Sequence, residues 1–222
     1  VLAHFLYILL PAVLLAACTQ DELAEQGNTL PDGEYPLQIG NITITTDEQP
    51  WTRIAENEDG MGSHWTDGDK IGVRIGDNEE TGVYIIKVDD AGNVTVKPDK
   101  PVYWKSTQTA DVTAWYPAER SSVSLDLQFL DGLTYVLRGT GTGSYQSPVT
   151  LKFEHKLAKV RVVAKGTAQV RNMSIWNVPT SCAIEEGIIT EQLPIRSSIQ
   201  MLSVKREGIG TCWEANVGPG VE

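Results

Sequence analysis

The chain has 222 residues and a formal net charge of −11, an acidity that repels phosphate backbones and argues against nucleic acid as a partner. Its hydrophobic fraction of 41% is adequate for packed cores, and none of its three cysteines lies in a CxxC or metal-ligand spacing. The charge is unevenly placed: residues 1–148 hold nine Lys/Arg against twenty-two Asp/Glu, residues 149–222 nine against seven, a split that points to two units with different surfaces.

From Phe5 to Ala17 the chain is apolar apart from the break at Pro11, and this run is shorter than the roughly 20 residues a membrane-spanning helix needs. It ends in Leu14-Leu15-Ala16-Ala17-Cys18, the pattern of a bacterial lipobox, so residues 1–17 read as a lipoprotein signal peptide. Cys18 would then open the mature chain and carry acyl groups such as palmitate, which partition into a bilayer at about 0.8 kcal/mol per buried CH₂. Residues 18–36, with Gly27, Pro31, Gly33 and Pro36, read as the acylated N-terminus and a flexible tether.

A first strand is expected over Leu37 to Thr46, where Ile42 and Ile44 alternate with Thr43 and Thr45. Asp47 to Gly68 then reads as a long exposed loop with Arg53 as its only basic residue. Strands follow over Ile71 to Ile75, Gly82 to Val88 and Val94 to Lys97, the last two joined by a hairpin turn at Asp89-Asp90-Ala91-Gly92-Asn93. Further β runs are Val102 to Trp104, Val112 to Tyr116 and Ser122 to Leu130, where Val123, Leu125, Leu127 and Phe129 make one face. Gly139-Thr140-Gly141-Thr142-Gly143-Ser144 reads as a flexible interdomain joint. Beyond it, Val149, Leu151 and Phe153 alternate, and the alternation resumes in the opposite phase at Ala158, Val160 and Val162. Short runs at Gln169 to Val178, Ile199 to Lys205 and Cys212 to Val217 complete an all-β pattern. The expected domains are therefore 37–148, a β-sandwich, and 149–222, a second β domain with too few strands to close its own edges.

The chemistry of catalysis is not visible. Asp67-Gly68-Asp69 resembles the start of a calcium loop but places Ile71 and Asn78 where ligands are needed. The glycines at 139–143 are followed by Pro148 and a β run rather than by the helix a dinucleotide site requires. No G-x-S-x-G elbow is present, and His64 and His155 have no metal-binding spacing. The expectation is a non-enzyme with no cofactor and no metal. With Cys18 committed to lipid, Cys182 and Cys212 remain, either joined in a disulfide, as an exported chain permits, or left as buried thiols. Of the six tryptophans, Trp51 and Trp65 fall in the long loop and are candidates for a sugar-stacking platform; the alternative is that the tryptophans fill cores.

Four segments carry a family resemblance: Trp65-Thr66-Asp67-Gly68-Asp69-Lys70-Ile71-Gly72-Val73, Pro101-Val102-Tyr103-Trp104, Ala114-Trp115-Tyr116-Pro117, and Leu151-Lys152-Phe153-Glu154-His155-Lys156-Leu157-Ala158-Lys159-Val160. In this order and spacing they resemble the fimbrillins, the Mfa-like and FimA-like lipoproteins of Bacteroides and its relatives. The acidic Thr19-Gln20-Asp21-Glu22 after the cysteine likewise resembles the tether of their surface-exposed lipoproteins. The resemblance implies two transthyretin-like β-sandwich domains in tandem, the second incomplete in this sequence. It also implies a surface protein of the outer membrane and fimbrium that acts in adhesion, with other fimbrial subunits and surface ligands of host or bacterial cells as partners. Assembly in that family proceeds by strand exchange after proteolysis, a form of β-augmentation. On this chain the departing strand would be Leu37 to Thr46 and the cut would fall at Arg53. The competing expectation is a surface glycan-binding lipoprotein that does not polymerise.

Overall fold

The computed structural model describes residues 28–44, 55–56, 63–194 and 196–220. Its strands begin with β1 (Ile39–Ile44), β2 (Ala55–Glu56), β3 (Ser63–His64), β4 (Lys70–Ile75), β5 (Thr81–Val88), β6 (Val94–Lys100), β7 (Ala110–Tyr116) and β8 (Ser122–Ser124). After a single helical turn, α1 (Gln128–Asp131), come β9 (Leu137–Gly143), β10 (Val149–His155), β11 (Ala158–Val162), β12 (Ser174–Pro179) and β13 (Ser181–Glu185). The last are β14 (Ile188–Gln192), β15 (Arg196–Gln200), β16 (Leu202–Arg206) and β17 (Gly210–Val217). The architecture is all-β, as the alternating pattern requires.

Seven strands form the main sheet in the order β1-β10-β9-β7-β4-β5-β6. Its core is built from the inward residues of each strand, among them Ile71, Val73, Val112, Leu151 and Phe153, all fully buried. The expected hairpin between β5 and β6 is present, and Asp89 builds its turn: one carboxylate oxygen accepts the amide N–H groups of Ala91 and Asn93. Exposed edge strand β6 carries Lys97, Pro98, Asp99 and Lys100, residues that discourage pairing with a foreign strand. A second core gathers Val123, Leu125, Ile199, Trp213 and Ala215 between the sheet β11-β17-β16 and the ladders β14-β13-β8 and β12-β15.

Four expectations change. The glycine run at 139–143 is no joint: it lies inside β9, a central strand hydrogen-bonded to β7 and β10. Its glycines serve packing, because a Cβ on Gly139 would sit 2.9 Å from the Phe153 ring and one on Gly141 2.3 Å from the Thr150 carbonyl oxygen. Consequently the sheets do not divide at residue 148. β10 belongs to the main sheet, whereas β8 pairs with β13, so the chain visits the second core before returning to the first.

The run Ser122 to Leu130 is a strand only to Ser124. Leu127 and Leu130 from its expected inner face and its far end are 50% and 68% exposed, while Gln128 from the expected outer face is buried. The Gln128 amide explains the turn: it donates to the carbonyls of Leu125 and Asn216 and accepts from the amides of Thr134 and Asn216. A side chain with that many partners dictates the local backbone more strongly than two leucines do. Val102 to Trp104 forms only an isolated bridge, between Tyr103 and Pro36.

The hairpin β13–β14 has no alternating signal in the sequence. Glu186 and Gly187 turn it with φ of 46° and 72°, the left-handed pair of a tight hairpin. This turn fastens the two cores together. Glu186 receives Arg74 through its carboxylate at 2.8 Å and Arg138 through its carbonyl at 2.7 Å. Gly187 lies so close to Leu137 that a Cβ would come within 2.4 Å of that residue's carbonyl oxygen.

Candidate functional site: a strand that straps two sheet edges

β1 and β6 are the two outer strands of the seven-stranded sheet, and the segment Tyr35–Ile44 bridges them. On the β6 side, the Leu37 amide donates to the Val102 carbonyl at 2.8 Å and the Trp104 amide to the Tyr35 carbonyl at 2.9 Å. On the other side, the Val149 amide donates to the Gln38 carbonyl at 2.8 Å, and β1 runs parallel to β10 from Ile39↔Val149 to Ile44↔Phe153. Every other ladder among the described residues is antiparallel. Parallel neighbours that a short turn cannot connect are separate in sequence. Here more than a hundred residues intervene, so β1 sits in the sheet as a guest strand.

The sequence of β1 explains its seat. Leu37, Ile39 and Ile42 are buried, and each contributes about 1.5–3 kcal/mol by leaving water. Ile39 and Ile42 are three apart and would face opposite ways in a regular strand, but the register slips between Ile39 and Asn41 and returns both to the core. Gly40 occupies the slip, where a Cβ would meet Pro148 at 2.8 Å. Tyr35 packs edge-on against Tyr145, with centroids 5.1 Å apart.

Tyr84 is the pin that sequence reading missed. From β5 its buried hydroxyl donates to the Leu37 carbonyl at 3.1 Å and accepts the Val102 amide at 3.4 Å, so one atom holds the strap and its landing site. Burial pushes its pKa up to about 12, keeping the donor proton in place at all ordinary pH. A tyrosine in a strand reads as core filler, and only the fold shows what its oxygen meets. Tyr84→Phe is expected to cost about 1–3 kcal/mol by orphaning the Leu37 carbonyl, and to speed amide exchange at Leu37 and Trp104 more than at β4.

The other expected site residues fare as follows. Cys18, Trp51 and Arg53 lie outside the described residues. Cys182 and Cys212 are buried free thiols on β13 and β17, so the disulfide alternative does not hold. Trp65 is no platform: it is 3% exposed, wedged edge-on between Phe153 at 4.9 Å and Tyr116 at 6.2 Å. His155 is half-buried beside the Tyr135 ring, and desolvation pulls its pKa down to about 4, so it is neutral at physiological pH. Among the described residues no three His, Cys, Asp or Glu side chains come together as a metal site.

The seven-stranded sheet is completed at one edge by a single parallel strand from far upstream in the chain. The chain belongs to the fimbrillin-like family, whose model matches residues 52–198 and so begins just downstream of β1. No curated protein matches it. Among solved structures, a Bacteroides thetaiotaomicron protein titled "putative cell adhesion protein" is 18% identical and aligns over 83% of this chain and 75% of its own, with a TM-score of 0.45.

Proposed function

We propose that this fimbrillin-like protein is a surface subunit of a fimbrium, anchored in the outer membrane through acylated Cys18, that assembles with other subunits by exchange of β1. The observation that carries this reading is the strap itself. Removing Tyr35–Ile44 uncovers the unpaired edge of β10, frees the backbone of Val102–Trp104 and leaves the cavity of Leu37, Ile39 and Ile42 open. An incoming strand that restores those hydrogen bonds and fills those pockets gains back what β1 gave. Hydrolysis of the peptide bond after Arg53 would sever β1, and with it acylated Cys18, from β4, which releases the subunit from its anchor for assembly and makes the exchange irreversible.

Envelope fractions run unheated and boiled, probed with an antibody to residues 69–217, test the reading. A ladder that collapses on boiling, with subunits beginning at Ile54, is the expected result. A single band, acylated at Cys18 and indifferent to heating, refutes assembly by strand exchange.

A further inference from the structure

Trp176 is 77% exposed, more than any other large hydrophobic residue among those described. Its position is not an accident of the strand pattern. Residues two apart in a strand share a face, so with Val178 buried at 3% exposure, Trp176 would follow it into the second core. A bulge between Trp176 and Val178 breaks that rule: Asn177 adopts a φ of 57° and shifts the register by one. Ile175 before the bulge and Val178 after it both pack inward, and the indole between them is left in water. The left-handed conformation is uncommon outside glycine, and Arg196 from β15 holds it, its Nε donating to the Asn177 carbonyl at 2.9 Å and to the side-chain oxygen at 3.3 Å.

The surroundings of the ring are polar. Its cross-strand neighbour is Ser198, and Ser174 and Gln200 form the next pair on the same face. Asn177 Oδ1 accepts from Arg196 Nε, and the Asn177 Nδ2 and the remaining Arg196 guanidinium N–H groups are further donors on the ribbon.

We infer that this face of the β12–β15 ribbon is a carbohydrate-binding site in which Trp176 stacks on the apolar face of a neutral sugar ring and Asn177, Arg196 and Ser198 meet its hydroxyls. A pyranose presents C–H groups on one face and hydroxyls around its rim, which matches one aromatic plane set in a frame of hydrogen-bonding side chains. A single indole buries about 150–250 Å², far below the roughly 800 Å² per partner of a stable protein interface. The neighbours of the ring on this face, Ser174, Ser198 and Gln200, are uncharged, which suits a neutral sugar. Independent of strand exchange, this site would give a fimbrial protein something to hold.

The test uses the full mature chain. Binding is surveyed on an array of neutral and sialylated glycans, then followed for the best neutral glycan by the indole N–H resonance that Trp176→Tyr removes. The expected result is binding to neutral glycans, with a saturable shift of that resonance. Trp176→Ala should weaken binding by about tenfold or more, equivalent to about 1.4 kcal/mol, while Trp176→Tyr retains most of it and Arg196→Ala, which unpins Asn177, is intermediate. Because the residue is on the surface, the thermal unfolding midpoint of Trp176→Ala should match that of wild type. Absence of binding to every neutral glycan, equal binding by Trp176→Ala, or a shift produced only by phosphatidylcholine vesicles would each overturn the proposal.

Discussion

Glu214→Ala is expected to lower the unfolding free energy by about 3–5 kcal/mol, the cost of stranding buried cations. Glu214 lies at the centre of β17 with no exposed surface, and three cations converge on it from both flanking strands. Arg206 of β16 donates through Nη2 at 2.6 Å, Lys159 of β11 lies at 3.1 Å, and the Arg161 guanidinium also donates to the carboxylate. Burial by itself would push the Glu214 carboxyl up, but the Arg206 hydrogen bond and the charges of Lys159 and Arg161 outweigh it and hold the group below its usual range. Burial also pulls the Lys159 ammonium down, against the pull of Glu214.

The sign for pH follows from the carboxylate. A folded pKa below the unfolded one stabilises the fold wherever the unfolded group is ionised, above about pH 4.3. That stability is lost as pH falls through the lower folded value. Denaturant unfolding of wild type and Glu214→Ala at neutral and acid pH therefore gives curves that converge as pH drops. Curves separated equally at both pH values would mean that packing around β17, and not the charge of Glu214, supports this sheet.

Ile42→Ala is the second large effect, about 2–5 kcal/mol by cavity formation at a buried strand residue. What distinguishes it is where the loss appears. Because β1 meets the sheet as a guest, amide exchange should accelerate at Leu37, Trp104 and Val149, whose hydrogen bonds join the strap to its two landing sites. Amides of β4 and β5, deep in the antiparallel ladder, should keep their protection. Destabilisation spread evenly over the sheet would show that β1 is not a separable unit, and exchange of this strand would lose its physical basis.

Legibility in the sequence followed the range of the interactions. The hairpin at Asp89 is visible because the carboxylate that forms it caps amides only two and four residues away. β1 is visible for the same reason, its isoleucines alternating with polar residues within one short run. The helical turn at Gln128 was hidden because its partners are spread from Leu125 to Asn216. The glycines of β9 invited a reading as flexible linker, since their common cause is turn freedom. In fact the rings and backbone of β10 occupy the space their side chains would need. Trp65 is buried and Trp176 exposed for a related reason: neither ring's surroundings are set by sequence neighbours alone. Phe153 and Tyr116 enclose the first, and a bulge against β15 turns the second outward.

By itself, then, the sequence determined the β class, most of the strands and the family to which the chain belongs, because period-two alternation, turn residues and short motifs are local properties. Only the tertiary structure decided that one segment straps both edges of the main sheet, that the chain passes through the second core before completing the first, and which tryptophan faces water. Those outcomes depend on pairing between residues far apart in the chain, Tyr35 with Trp104, Val123 with Cys182, Trp176 with Ser198. In a sheet, the partner strand and its register settle which face a side chain occupies.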